Sequence, residues 1–343
     1  MEVTYDLAVI GGGPAGCAAA ITAARNGKRV VLFERGKYPR HKVCGEFVSH
    51  ESHQLLNNLL GDSPILRNPA SITRARMFAD GHCIEFALPT AAWSISRFDL
   101  DAALWDAATS SGVVAHQQSQ AEGVSRNSVR IAVTEFQAQT VINATGRWSN
   151  LKRPITPTGP RLIGLKAHFA GEDAPPSTDI YFFTGGYCGI QPVGPNLVNA
   201  SAMVRADVAT SLEHVFAAHP ELWLRSRAWE QTTETVSTSP LVHAPPEPVT
   251  DGVFNIGDAA AFIDPFVGDG ISLALRTGVL AAKCAPDSIR YEAEYHRRFG
   301  KAFRTASIVR KLVAAPEVVR RAAIFAFQSE MLRNYALRAS RAI

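Results

Sequence analysis

Residues 5–34 constrain this chain more than any other stretch. Tyr5 to Ile10 is a short apolar run, Gly11-Gly12-Gly13-Pro14-Ala15-Gly16 follows at once, Cys17 to Asn26 is rich in alanine, and Val30-Val31-Leu32-Phe33 ends on Glu34. Alanine has the strongest helix propensity, so the order predicts strand, turn, helix, strand, with G-x-G-x-x-G at the turn. Gly11 permits the tight turn, Gly13 lets backbone approach a pyrophosphate, and Gly16 lets helix and strand pack closely. Pro14 and Ala15 open a helix whose N-terminus faces phosphate charge. Glu34, followed by Arg35, ends the second strand, where a carboxylate accepts the ribose hydroxyls and favours a free 2′-hydroxyl. The motif therefore predicts a dinucleotide, FAD or NAD.

Composition narrows the class. A chain of 343 residues with 46% hydrophobic and 19% charged residues buries a substantial core, in two or so domains. A net charge of +4 does not imply nucleic acid. There is no leader before the first strand, and no uncharged apolar run long enough to span a bilayer, so we expect a soluble cytoplasmic protein with no transmembrane segment. The five cysteines are scattered and form no C-x-x-C pair, which fits reduced thiols and argues against a disulfide scaffold or a zinc site. No histidine spacing has the logic of a metal site, so no metal is expected. His41, His50 and His53 flank a polar loop and are expected in solvent.

Along the chain, Lys37 to Glu46 reads as a loop and Ser49 to Leu60 as a helix, with Ser49 as its cap and Gly61 at its end. Thr73 to Phe86 reads as a hairpin turning at Ala79-Asp80-Gly81, and Phe98 to Ser110 as an amphipathic helix. Val113 to Gln118, Val129 to Val133 and Gln139 to Asn143 read as strands. After about residue 150 strand-like runs follow one another (162–169, 178–183, 189–192, 197–204), interrupted by a helix near 209–218. Val253 to Ile256 returns to a buried strand, 271–284 to a helix, and the basic tail from 291 is helical. The expected class is α/β. A split Rossmann-like nucleotide-binding domain (1–75, 95–150 and 251–285) carries an inserted, mainly antiparallel β substrate domain (76–94 and 151–250), and C-terminal helices occupy 286–343.

Gly257-Asp258, Asp264-Pro265 and Gly268-Asp269-Gly270-Ile271 complete a set of four ordered motifs with the fingerprint, Ser96-Arg97-Phe98-Asp99-Leu100-Asp101 and Ala144-Thr145-Gly146. Together they resemble the FAD-dependent oxidoreductases of the para-hydroxybenzoate hydroxylase superfamily, most closely the geranylgeranyl-reductase-like branch, which neighbours the flavin-dependent halogenases. The resemblance implies bound FAD. Asp258 would accept hydrogen bonds from ribityl hydroxyls, Gly268 and Gly270 would let backbone approach the flavin ring, and Pro265 would contact the cofactor. Ile271 would open a helix aimed at the ring's pyrimidine edge. Arg97 would reach the pyrophosphate or ribityl chain, and Arg40 and Gly146 would contact FAD. Lys42-Val43-Cys44-Gly45-Glu46 resembles a loop that brings a cysteine to the flavin, so Cys44 and Gly45 would lie by the ring. Cys44 and Tyr187 are the candidate catalytic residues. Tyr187 and Pro192 match an aromatic pattern of that branch, but Gly189 stands where its second aromatic belongs.

The expected enzyme is an FAD-dependent oxidoreductase acting on a hydrophobic small molecule, possible secondary-metabolite chemistry included. Oxygenation by a flavin monooxygenase stands slightly ahead. Reduction of a carbon–carbon double bond is the alternative, and halogenation or a non-catalytic flavoprotein stands behind both. No second fingerprint is present, so electrons would come from visiting NAD(P)H or a partner flavin reductase. The basic tail could dock a carrier protein.

Overall fold

The computed structural model describes residues 4–147, 151 and 159–313. The expected basic tail beyond residue 313 lies outside them. Among the described residues the fold is mixed α/β with two sheets. In the first, Tyr5–Ile10 sits between Val30–Phe33 and Thr134–Asn143 and runs parallel to both. Val114–His116 extends the parallel set on one side and Val253–Asn255 on the other, and Val249–Thr250 closes that edge as an antiparallel strand.

Side chains alternate across a strand, so Tyr5–Ile10 feeds two cores. Leu7 and Val9 pack under helices Pro14–Arg25, Arg97–Ser110 and Gly270–Cys284. Ala8 and Ile10 pack against residues of the strands Ala121–Val124, Ser128–Ile131 and Thr134–Asn143. The first of those three strands was not anticipated, and the expected strand over 113–118 covers only 114–116.

The second sheet runs in the order 230–231, 162–170, 197–205, 186–194, 177–183, 70–79, 82–94, 47–48. Its pairing is antiparallel except where Ser177–Phe183 lies parallel to Ala70–Ala79. The expected helix near 209–218 starts later, at Leu212, where the Ser211 hydroxyl accepts from the His214 amide. A second helix, Pro220–Ser226, was not foreseen. Ser49 does not cap the following helix. That segment begins as a 3₁₀ turn at His50, and the Ser49 hydroxyl donates to Asp269 instead. His53 is not in open solvent either, because its ring stacks on Trp93 with centroids 3.4 Å apart. Among the described residues no helix is long and apolar enough to cross a membrane.

Helix Gly270–Cys284 rests on helix Pro14–Arg25 so closely that a Cβ on Gly278 would lie 2.2 Å from the Ala15 carbonyl oxygen. Gly278→Ala is therefore expected to force the helices apart and lower stability by roughly 1–3 kcal/mol. Gly300, on helix Ser288–Val313, meets nothing within 4 Å. Gly300→Ala is expected to raise stability by up to about 1 kcal/mol through helix propensity. Urea unfolding of both variants checks the pair, and equal effects would refute the close-packing account.

Candidate active site

A cleft of about 580 Å³ opens between the two sheets. Its first wall is the fingerprint turn. Gly11 has φ +106°, and a Cβ there would lie 2.3 Å from the Ala144 carbonyl oxygen. Gly16 does not line the cleft; a Cβ on it would sit 1.8 Å from the Gly11 carbonyl oxygen, so it closes the turn from behind. Gly13 behaves differently. Its backbone is extended (φ −74°), and a Cβ there would meet only Lys42 Nζ, at 3.8 Å. The helix that starts at Pro14 has no side-chain cap, and Pro14 and Ala15 face the cleft. Gly12 is required for a reason the motif does not state: a Cβ would lie 2.6 Å from the Trp105 ring.

Glu34 ends the second strand in the same wall. Its carboxylate accepts from the amides of Gly12 and Gly36 (both 2.8 Å) and from Arg40 Nη2 (2.6 Å). Burial alone would raise its pKa, but Lys42, these amides and Arg40 hold it below the ordinary value. Arg35 and Arg40 also line the cleft.

The loop after Glu34 crosses from one sheet to the other. Lys42 Nζ bonds Asp101 at 2.8 Å, and Arg97 grips the same carboxylate through two bonds of 2.7 and 2.8 Å. Asp101 is fully buried. Arg97 and Lys42 overcome its desolvation and pull its pKa down to about 2. The Arg97 guanidinium, expected to reach a cofactor, is thus turned toward Asp101 while still lining the cleft. Cys44 and Gly45 line it as well. Burial outweighs the neighbouring Arg97 and keeps the Cys44 thiol above its usual pKa, so it is protonated at neutral pH.

Glu46 closes this loop in the left-handed region, φ +62°. Its carboxylate, fully buried, accepts from the Arg97 amide (2.8 Å), Lys166 Nζ (3.0 Å) and His168 Nε2 (2.7 Å). Lys166 Nζ also lies 3.1 Å from His41 Nδ1. His41, expected in solvent, instead belongs to this cluster and lines the cleft. The ligand atoms of His41, Glu46 and His168 fall within 4.8 Å of one another, a grouping that chain spacing cannot reveal.

The rear wall carries Gly146, Asp258, Pro265, Gly268, Gly270, Ile271 and Tyr187. Arg147, which the motif reading passed over, has Nε 3.5 Å from Asp258 and its guanidinium 4.2 Å above the Phe262 ring. Its Nη1 is buried without a hydrogen-bond partner, as is Arg40 Nε. Tyr187 is buried, with its hydroxyl 3.4 Å from Asp264. Seventeen of the eighteen expected residues, all but Gly16, thus share one cleft. Lys42, His41, Arg147, Lys166 and His168 were missed. The available signals were a lysine and a histidine inside an otherwise apolar strand, and an arginine directly after Ala144-Thr145-Gly146.

These residues fit FAD. An uncapped helix start, a glycine with open space above it and buried guanidinium nitrogens without partners together suit an anionic dinucleotide. The apolar side chains of Val43, Met203, Val236, Leu241 and Phe262 leave room for an apolar substrate.

Comparison with known proteins agrees. The family described as FAD dependent oxidoreductase matches residues 6–147. A digeranylgeranylglycerophospholipid reductase of Thermoplasma volcanium is 28% identical, over 87% of this chain and 82% of its own. A menaquinone reductase of Mycobacterium tuberculosis is 27% identical, over 98% and 91%. Among solved structures, a triple mutant of a flavin-dependent brominase shares the fold with a TM-score of 0.83 at 20% identity, over 98% and 94%.

His243 stacks on Phe262, its ring nitrogens are buried without a hydrogen-bond partner, and Nε2 lies 3.8 Å from Asp264. Burial, then the charges of Arg310 and Arg147, lower its pKa to about 4. The unfolded chain takes up this proton below about pH 6.5, and the folded chain refuses it until about pH 4, so stability falls as pH drops through that window. His243→Phe is expected to flatten the decline by up to about 1.4 kcal/mol per pH unit. Thermal melts from pH 7 to 4.5 check this, and an unchanged slope would mean that the folded protein accepts the proton.

Proposed function

We propose, from its similarity to FAD-dependent oxidoreductases that include geranylgeranyl-type and menaquinone reductases, that this chain reduces a carbon–carbon double bond in an apolar substrate of isoprenoid or quinone type. The observation that carries this reading is the Cys44 thiol, held protonated by burial and lining the same cleft as the apolar Val43, Met203, Leu241 and Phe262. FAD, when bound and reduced, supplies the hydride, and NAD(P)H or a partner reductase restores it.

The rest falls to the chain. Gly13 and the helix start at Pro14 hold the pyrophosphate, Glu34 the ribose, and Asp258 with Arg147 the ribityl chain. Cys44 gives its proton to the substrate carbon that does not receive the hydride: the S–H bond breaks, a C–H bond forms, and the thiolate regains a proton from water. Met203, Leu241 and Phe262 hold the apolar substrate and exclude water. Oxygenation is the second reading, favoured by Gly189, which stands where the reductase pattern has an aromatic.

Purified protein is expected to be yellow and to release FAD on denaturation. Gly13→Val should abolish this without unfolding the chain, because the valine enters open space beside an extended backbone. Asp258→Ala should weaken FAD retention while the melting temperature holds. Under anaerobic conditions, FAD-loaded protein reduced with dithionite and freed of excess reductant should add two hydrogens across the conjugated carbon–carbon double bond of citral, as read by mass spectrometry and NMR. Cys44→Ala should slow this by about 10²-fold or more. A product that forms only with oxygen and carries an added oxygen atom would replace this reading with oxygenation.

A further inference from the structure

The cluster at Glu46 has work left over after Cys44 and the fingerprint are accounted for. Lys166 has no exposed side-chain surface, an unusual position for lysine, and lies between the Glu46 carboxylate and His41 Nδ1. Bonded to a carboxylate, it is an ammonium, and an ammonium can only donate. His41 Nδ1 must therefore accept, which leaves Nε2–H as the ring's one N–H. Two further observations show that the arrangement is built. Glu46 holds a left-handed backbone at φ +62°, a strain that clusters at functional sites. His168 and the Arg97 amide complete the carboxylate's bonds, so the ammonium's partner is fixed. The same geometry argues against a metal at His41, Glu46 and His168, because Lys166 Nζ already bonds two of the three.

We propose that His41 is a substrate-contacting residue, a neutral Nε2–H donor aimed at a carbonyl oxygen, and that the substrate is accordingly a quinone or other carbonyl-conjugated alkene rather than an isolated isoprenoid double bond. Lys166, Glu46 and His168 are positioning residues. The proposal rests on the reading of the cleft as a reductase site and narrows its substrate class. Hydrogen bonding at the carbonyl draws charge from the conjugated double bond and leaves the carbon–hydrogen bond-forming steps to the groups already named. The charged and titratable groups that face His41 are Lys166, His168, Glu46 and Asp99, with Phe98 packed on its ring. Burial and Lys166 lower its pKa, in keeping with a ring that stays neutral.

The test begins with the full-length protein labelled with ¹⁵N-histidine, both without and with FAD. His41 is expected to show an unprotonated Nδ1 and a protonated Nε2, and to take up a second proton only below the ordinary histidine range. The opposite tautomer, or titration at an ordinary histidine pKa, would overturn the proposal. Lys166→Met should restore an ordinary titration. If that variant does not fold, Lys166→Arg, which keeps the donor, should preserve the wild-type tautomer.

Menadione should perturb the His41 Nε2–H signal, while 2-methylnaphthalene, the same bicycle without carbonyls, should not. His41→Phe should weaken menadione binding by about tenfold, and His41→Gln, a neutral donor, by much less. Equal responses to the two probes would remove the carbonyl claim and leave the flavin reading intact. Failure to bind FAD, with the tautomer as stated, would remove the reductase reading instead. Joint perturbation of His41 and His168 by zinc at equimolar concentration would show a metal site and overturn the role of Lys166.

Discussion

The close approach of helix Pro14–Arg25 to neighbouring backbone at Ala15 and Gly16 is the constraint on which the rest of the molecule depends. Around Ala15 and Gly16 four glycines converge. Gly11 turns the chain beneath the helix, Gly16 sits on the Gly11 carbonyl, Gly257 touches Ala15 Cβ, and Gly278 touches its carbonyl oxygen. Each contact brings in a different part of the sequence: the first strand, the turn after the strand at 253–255, and the helix at 270–284. Any added carbon would push one of them away from the cleft. The parallel sheet and the residues that hold a dinucleotide are thus held in one arrangement by the absence of atoms.

The other wall is held by charge. Burying Glu46 and Lys166 completely carries a desolvation cost that apolar residues of the same volume would avoid. The network offsets this by filling the Glu46 oxygens with two side chains and one amide. Asp101 repeats the device on the nucleotide side with Arg97 and Lys42. A second-sheet counterpart joins Arg225 to Glu172, Asp179 and Tyr181. Such pairs contribute geometry more than stability, and the two at the cleft fix the loop that carries His41 and Cys44.

What could be read in the sequence follows from how local its cause is. The fingerprint, the hairpin at Ala79-Asp80-Gly81 and the helix from Arg97 all depend on neighbours within a few residues, and each stands where composition and spacing put it. The antiparallel texture after residue 160 was legible for the same reason. Gly12 was only partly legible, because its partner Trp105 comes from another helix. Ser49 had the chemistry of a cap, yet a distant aspartate took its hydroxyl. Lys166 and His168 sit in a strand buried on both faces, where period-two alternation disappears and a charged residue gives no sign of its partner.

The cluster at Glu46 also has a consequence in time. The glutamate and His168 are separated by 122 residues, and the Arg97 amide is 51 residues away. Contacts so far apart along the chain form only after the intervening loop has been closed, whereas the fingerprint unit closes within its first thirty or so residues. A polypeptide still emerging from the ribosome therefore presents the phosphate-binding turn long before it presents a substrate wall. The strained backbone at Glu46 lacks its buried cationic partners until the strand 162–170 arrives.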